Sequence, residues 1–474
     1  MSRRILTSSL TTVALLAACP VAVNAQEYPP QPAVGTPKPF TVPTSETYIL
    51  PNGLQVTLIP YGITPKTVVS LRVYAGGINA GEKTGLNSLT TNMLREGAAG
   101  RSGAEIAESA AAMGGNLGIG GDNHETSLTL NVLSEYADDA ARLIADVARR
   151  PNLPASELER VRATVLRNVA VARSQPQPIA DAALAAAYYG ASHPYGRLLP
   201  TDTQIQSYTI DDIRRFHEEN FGAKRARLYI AGRFDRDEVR AAIAQAFADW
   251  QPGAERLKLP PQPQVGPKLL LVDRPGAPQS TIRIAFAAPV AGAPQDLGFR
   301  VTNALLGGSF TSRITRNIRE EKGYTYSPFS GVTYNAGEAR WVFDADVTTD
   351  VTGAALKEVI GEVRQLQTEA IPEEEAAGMR TWMAGTFVLG NASAGGLVNS
   401  LATRDFHGLS ANWLDAYVPG VLGISSADMQ GLARQSLPLE KMTVVVVGDL
   451  AKVRPQLQAL PEFKNMPTQV VKPF

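Results

Sequence analysis

The order of elements in the middle of this chain returns at its end, and the stretch just after the first occurrence can hold neither a helix nor a central strand. Residues 209–220 read as a helix capped by Thr209 and followed by a strand over 226–232 (ARLYIAG). Residues 425–436 and 442–448 (MTVVVVG) repeat that order. Each closing strand ends in glycine with an aspartate close behind: Gly232 with Asp235, Gly448 with Asp449. Residues 251–267 carry five prolines in seventeen positions. Proline fixes φ and has no N–H to donate, so this stretch is a linker. A chain of 474 residues can bury more than one core. The repeat therefore implies two similar α+β halves, 46–250 and 268–474.

Within the first half, alternation predicts a hairpin over 48–60 turning at Pro51-Asn52-Gly53, a strand over 67–76, and one strand or two in 116–133. A helix starts at Ser102, where Glu105 completes a capping box; others span 134–150, 156–173 and 236–250. In the helix over 156–173, Leu158, Val161, Val165, Asn168 and Ala172 share one stripe, which sets Asn168 on the inward edge. In the second half, strands are predicted over 268–272, 281–286, 331–335 and 339–347. Helices are predicted from Asp296 and Phe310, and over 352–368 and 373–389.

The N-terminus reads as an export signal. Arg3 and Arg4 precede an apolar run over 5–18, and Val23-Asn24-Ala25 is a small-residue cleavage site. The run is too short to span a membrane. Cleavage after Ala25 gives a periplasmic chain without cysteine, since Cys19 is the only one. Leu16-Ala17-Ala18-Cys19 also resembles a bacterial lipobox, and cleavage there would give a lipoprotein anchored through Cys19. The Pro-rich stretch 26–45 reads as an extended, poorly ordered arm. Lys+Arg and Asp+Glu balance at 45 each, so nothing favours nucleic acid.

The stretch 84–97 (TGLNSLTTNMLREG) has the form of a metal-binding helix without the ligands. Leu86, Leu89, Met93 and Leu94 recur at helical spacing. Ser88 and Asn92 then lie four apart on one face, with Thr91 beside them. Two histidines at the first two positions would clasp zinc, and a glutamate at the third would activate its water.

This segment resembles the inverted zinc motif of the insulinase/pitrilysin peptidases, Gly-x-x-His-x-x-Glu-His-Met. Laid over that motif, the first His is Ser88, the general-base Glu is Thr91 and the second His is Asn92. The third ligand of the family, a Glu on a later helix, falls near Asn168. All four positions are changed, and hydroxyls and neutral amides are poor zinc ligands. The resemblance covers most of 46–453. It implies that each half is a mainly antiparallel sheet with helices packed on one face.

A second signature is kept. Residues 305–326 (LLGGSFTSRITRNIREEKGYTY) resemble the second-half motif of the family, a Gly-rich turn and a helix with Arg followed seven residues later by Tyr. Here these are Arg319 and Tyr326, with Gly307, Gly308, Phe310 and Arg313 also matching. Such a pair can donate hydrogen bonds to a developing oxyanion or to neighbouring backbone. The family includes heterodimers in which one subunit holds zinc and its partner supplies this pair. The resemblance thus implies a non-catalytic subunit with no metal or cofactor of its own. It would pair with a zinc-bearing paralogous subunit and hold unfolded peptide substrates, by adding a strand to a sheet edge. The alternative is a peptide-binding or scaffold protein of the same fold with no role in proteolysis. An independent metallopeptidase with an unusual site is the third reading. The four histidines, His124, His193, His217 and His407, have no second His at ligand spacing.

Overall fold

The computed structural model describes residues 40–472 apart from 260, 262, 264 and 265. The export signal, Cys19 and the arm up to residue 39 lie outside the described residues. Fourteen strands are defined: β1 (Glu46–Ile49), β2 (Gln55–Pro60), β3 (Lys66–Val73), β4 (Gly97–Ala98), β5 (Arg101–Ser102), β6 (Gly118–Gly121), β7 (Thr126–Leu133), β8 (Ala226–Gly232), β9 (Lys268–Asp273), β10 (Gln279–Ala287), β11 (Phe329–Asn335), β12 (Glu338–Thr348), β13 (Thr443–Gly448) and β14 (Thr468–Val471). Twelve of them build two six-stranded sheets, in the orders β1-β2-β8-β3-β7-β6 and β14-β9-β13-β10-β12-β11.

The repeat read from the sequence is a topological one. In each sheet the closing strand (β8, β13) is parallel to the first long strand (β2, β9) and antiparallel to the second (β3, β10). The other pairings are antiparallel, except that β14 runs parallel to β9 at the edge where β1 runs antiparallel to β2. Strand alternation separates two apolar faces. In the first sheet Leu58, Val69, Leu71, Leu228 and Ile230 face a core made with helices of the first half. Helix Ala137–Arg149 contributes Leu143, Ile144 and Val147 as the pattern predicts, and Ser102 caps helix Gly103–Ala112 through the Glu105 amide.

The opposite faces are closed reciprocally, which refines the expectation of helices on one face. Ile59, Val68, Tyr229 and Ala231 of the first sheet pack against Leu397, Val398 and Leu401 of helix Ala394–His407, from the second half. Leu270, Val272, Ala285, Val445 and Val447 of the second sheet pack against Ile179, Ala180, Ala183 and Leu184 of helix Pro176–Tyr189, from the first. Polar contacts follow the same exchange: the Tyr229 hydroxyl donates to Asp405 at 2.8 Å and Arg283 pairs with Asp181 at 2.7 Å. The linker is fastened as well. Arg256 lies 4.0 Å from the Phe406 ring centroid and 4.3 Å from that of Tyr74, and donates to the Phe406 carbonyl at 2.7 Å. The described end of the Pro-rich arm is docked rather than loose. Phe40 meets Phe387 edge-on at 5.2 Å, and the Val42 amide donates to Asp415 at 3.1 Å.

Among the described residues no helix is long and apolar enough to cross a membrane.

Candidate functional site

Helix Leu86–Met93 forms where the motif predicts it. Gly85 starts it with φ of 88°, a conformation that favours glycine, and a Cβ there would come within 2.7 Å of Ile205. Leu86, Leu89 and Met93 are buried against the first core. On the other side Asn92 turns back on its own helix, donating from Nδ2 to the Ser88 carbonyl at 2.8 Å. Thr91 is buried against β6, where a Cβ on Gly121 would meet its Oγ1 at 2.8 Å. Ser88 faces a cavity of about 420 Å³ that Asn168 also lines, with Asn87, Asp122, Asn123 and Arg197.

The helix carrying Asn168, Leu158–Ser174, is rotated slightly from the predicted stripe. Val169 completes the buried set with Leu158, Val161 and Val165, and Asn168 is exposed and opens onto the cavity. The fold thus brings Ser88 and Asn168 to one place and keeps Asn92 tied to its own helix. The motif positions offer hydroxyls and amides there, and the one carboxylate of the cavity, Asp122, already accepts the His124 and Glu125 amides, so the set does not fit zinc. No group of three or more His, Cys, Asp or Glu able to share a metal occurs among the described residues.

The four histidines are engaged within the protein. His124 Nε2 is 2.6 Å from the Tyr195 hydroxyl, His217 Nε2 is 2.8 Å from the Ala148 carbonyl, and His193 Nδ1 accepts the Tyr195 amide at 3.2 Å. His407 packs on Phe406 and Tyr334 between the two halves. Burial, and then the charge of Arg256 together with His124 and Arg300, pushes its pKa down to about 4.

Arg319 and Tyr326 come together in the second half. Residues Thr315–Glu321 form a π-helical turn, the Lys322 amide reaching back five residues to the Asn317 carbonyl at 3.0 Å. The Arg319 guanidinium lies between two rings, 4.5 Å from the centroid of Phe310 and 5.0 Å from that of Tyr326. Both rings stand in solvent, Phe310 at 69% and Tyr326 at 79% exposure. The Arg319 Nε also meets Glu320 at 3.1 Å. The neighbouring Arg313 and Asn317 are occupied differently. Arg313 makes a two-pronged ion pair with Glu375, at 2.9 and 2.6 Å, and Asn317 donates to Glu362 at 2.7 Å. These two fasten the segment to helices Thr352–Thr368 and Glu373–Gly390, and Arg319 is left at the surface.

Sequence reasoning missed the cavity that wraps β11, about 550 Å³, with Arg300, Phe329 and Trp382 in its wall. Nothing in the pattern around Phe299-Arg300 distinguishes it from an ordinary helix position.

Residues 58–201 match the family model described as Insulinase (Peptidase family M16), and 207–381 match the one described as Peptidase M16 inactive domain. An "uncharacterized zinc protease" of Mycobacterium leprae is 26% identical over 290 residues, 60% of this chain and 64% of that protein. The match thus spans just under two thirds of that relative. The Bacillus subtilis zinc protease YmxG is 22% identical over 397 residues, 82% of this chain and 94% of the relative. A Helicobacter pylori protein named non-peptidase homolog YmxG is 21% identical, over 82% of this chain and 90% of its own length. The crystal structure of a peptidase M16 inactive domain from Pseudomonas fluorescens superposes with a TM-score of 0.79 at 23% identity, covering 85% of this chain and 98% of that one. A Helicobacter pylori protease structure gives 0.79 at 18% identity, over 86% and 100%. These two show the fold.

Proposed function

This chain belongs to the insulinase family of peptidases, peptidase family M16, and we propose that within it the chain is the non-catalytic subunit of a heterodimeric zinc metallopeptidase. In this reading it binds peptide substrate and presents Arg319 and Tyr326 to the zinc site of a paralogous partner. The carrying observation is the contrast between two places. The motif helix offers Ser88, Thr91 and Asn92, with Asn168 across the cavity, where a peptidase needs imidazole and carboxylate. The Arg319–Tyr326 pair instead stands at the surface, its guanidinium preset between two exposed rings.

Chemically, the pair suits a peptide carbonyl that gains negative charge. The guanidinium and the phenol are both donors, and the stacking holds the guanidinium in place before substrate arrives, so little reorganisation is needed. The export signal read from the sequence supports a periplasmic setting, with the lipoprotein form anchored through Cys19 as the alternative. The test is turnover of the complex with Arg319→Ala and Tyr326→Phe. Loss of an oxyanion-type donor costs about 10²–10³ in kcat. Unchanged turnover with intact assembly would favour the scaffold reading.

A further inference from the structure

The cavity around β11 is lined by a cation that forms no ion pair among the described residues. Arg300, on helix Asp296–Asn303, is half-buried and lines the cavity. Its guanidinium sits 5.7 Å from the Tyr334 ring centroid and 5.5 Å from that of Tyr417. No hydrogen bond or ion pair to it is formed among the described residues. The carboxylate nearest along its helix, Asp296, is already taken, accepting the Gly292 amide at 3.0 Å and the Tyr334 hydroxyl. Arginine stays protonated in proteins, so the group is a cation here. A guanidinium that makes no hydrogen bond among the described residues keeps its five N–H donors for a ligand in the cavity.

The strand beside it has an open side. Among the described residues β11 is the last strand of its sheet and pairs with β12 alone. The Ser330 carbonyl accepts from Asn303 Nδ2 at 3.0 Å, so it points away from β12. Backbone groups alternate along a strand, so Val332 and Tyr334 turn theirs outward as well. The open side therefore ends at the residue whose ring touches Arg300. Phe329 (52% exposed) and Trp382 (43% exposed) form an apolar rim. The carboxylates of the cavity, Asp181 and Asp344, lie across the sheet. Asp344 is opposite Phe329 on β12, on the face that helix Pro176–Tyr189 covers, and Asp181 is neutralised by Arg283.

We propose that this cavity is a subsite for a carboxylate carried by an extended peptide, which adds to the open side of β11 and is anchored by Arg300. A C-terminus and an Asp or Glu side chain share this chemistry. The inference rests on the peptide-handling part of the reading above and not on a partner's zinc.

The experiment is fluorescence anisotropy with the purified full chain and one labelled octapeptide of alternating serine and valine in three forms: free C-terminus, amidated, and amidated with one internal glutamate. A charge-assisted, two-pronged contact predicts that an acidic form binds about tenfold or more tightly than the neutral amide. Whichever acidic form is preferred identifies the source. Arg300→Gln removes the preference, and N-methylation of the peptide backbone weakens all three. Equal binding of all forms, or a preference that survives Arg300→Gln, overturns the proposal. Should that variant fail to fold, hydrogen exchange on the wild type decides. The acidic peptide must protect the Val332 and Tyr334 amides more than the neutral one does, and no difference overturns the assignment. Arg319→Ala keeps the preference, so failure of this subsite and failure of the zinc-partner reading are told apart.

Discussion

Leu401→Ala is expected to destabilise the half of the molecule to which Leu401 does not belong. Leu401 is fully buried, and its cluster joins Ile59, Val68, Tyr229 and Ala231 of the first sheet to Leu397 and Val398 of its own helix and Leu414 of the next. Truncation withdraws three buried carbons, about 2 kcal/mol of transfer free energy, and leaves a void that β-strands on one side cannot collapse into. The total expected loss is about 2–5 kcal/mol. Urea unfolding followed by circular dichroism measures it, and hydrogen exchange locates it. Protection of the Tyr229 and Ala231 amides on β8 should fall by the same free energy, although the substitution is some 170 residues away in sequence (Tyr229 to Leu401). A loss below about 1 kcal/mol, or exchange quickened only in the second half, would refute the reciprocal closure of the sheets.

The remaining predictions concern charge and metal. Because the folded pKa of His407 is held near 4, below its unfolded value, the unfolded chain takes up the proton first; stability is full above about pH 6.5 and declines as pH falls towards 4. The burial-driven fall in the His124 pKa adds in the same direction. His407→Gln should flatten this slope in thermal melts between pH 4 and 7, by no more than about 2 kcal/mol once solvent screening is allowed for; an unchanged slope counts against it. Restoring the ligands with Ser88→His, Thr91→Glu, Asn92→His and Asn168→Glu should create zinc binding of one ion per chain by elemental analysis, and failure to bind would mean that these are not the vacated ligand positions. Arg319→Ala should cost less than about 1 kcal/mol of stability, since both rings beside it are exposed, whatever it does to turnover.

Much of the fold could be read from local pattern because the signals are local. The hairpin over β1 and β2, the capping box at Ser102, the cap at Thr209 and the unbroken apolar run of β13 each reflect residues acting on near neighbours. Helix Pro176–Tyr189 was not legible, since Ile179, Ala180, Ala182, Ala183, Leu184 and Ala185 are all buried, leaving no polar stripe to mark its period. The exchange of helices between sheets is a long-range matter that no window of sequence contains. Of the candidate site, the resemblance singled out residues that the fold brings together, Arg319 with Tyr326 and Ser88 with Asn168. The free side of β11 and the idle guanidinium of Arg300 were not, since both depend on what fails to pack against them.

The most direct measurement is hydrolysis of a mixed peptide library by the purified chain, alone and with envelope extract, with bound zinc quantified in each preparation. The account predicts no zinc and no hydrolysis by the chain alone, and chelator-sensitive hydrolysis when a zinc-bearing family partner co-purifies with it. One zinc per chain with hydrolysis in isolation would contradict it.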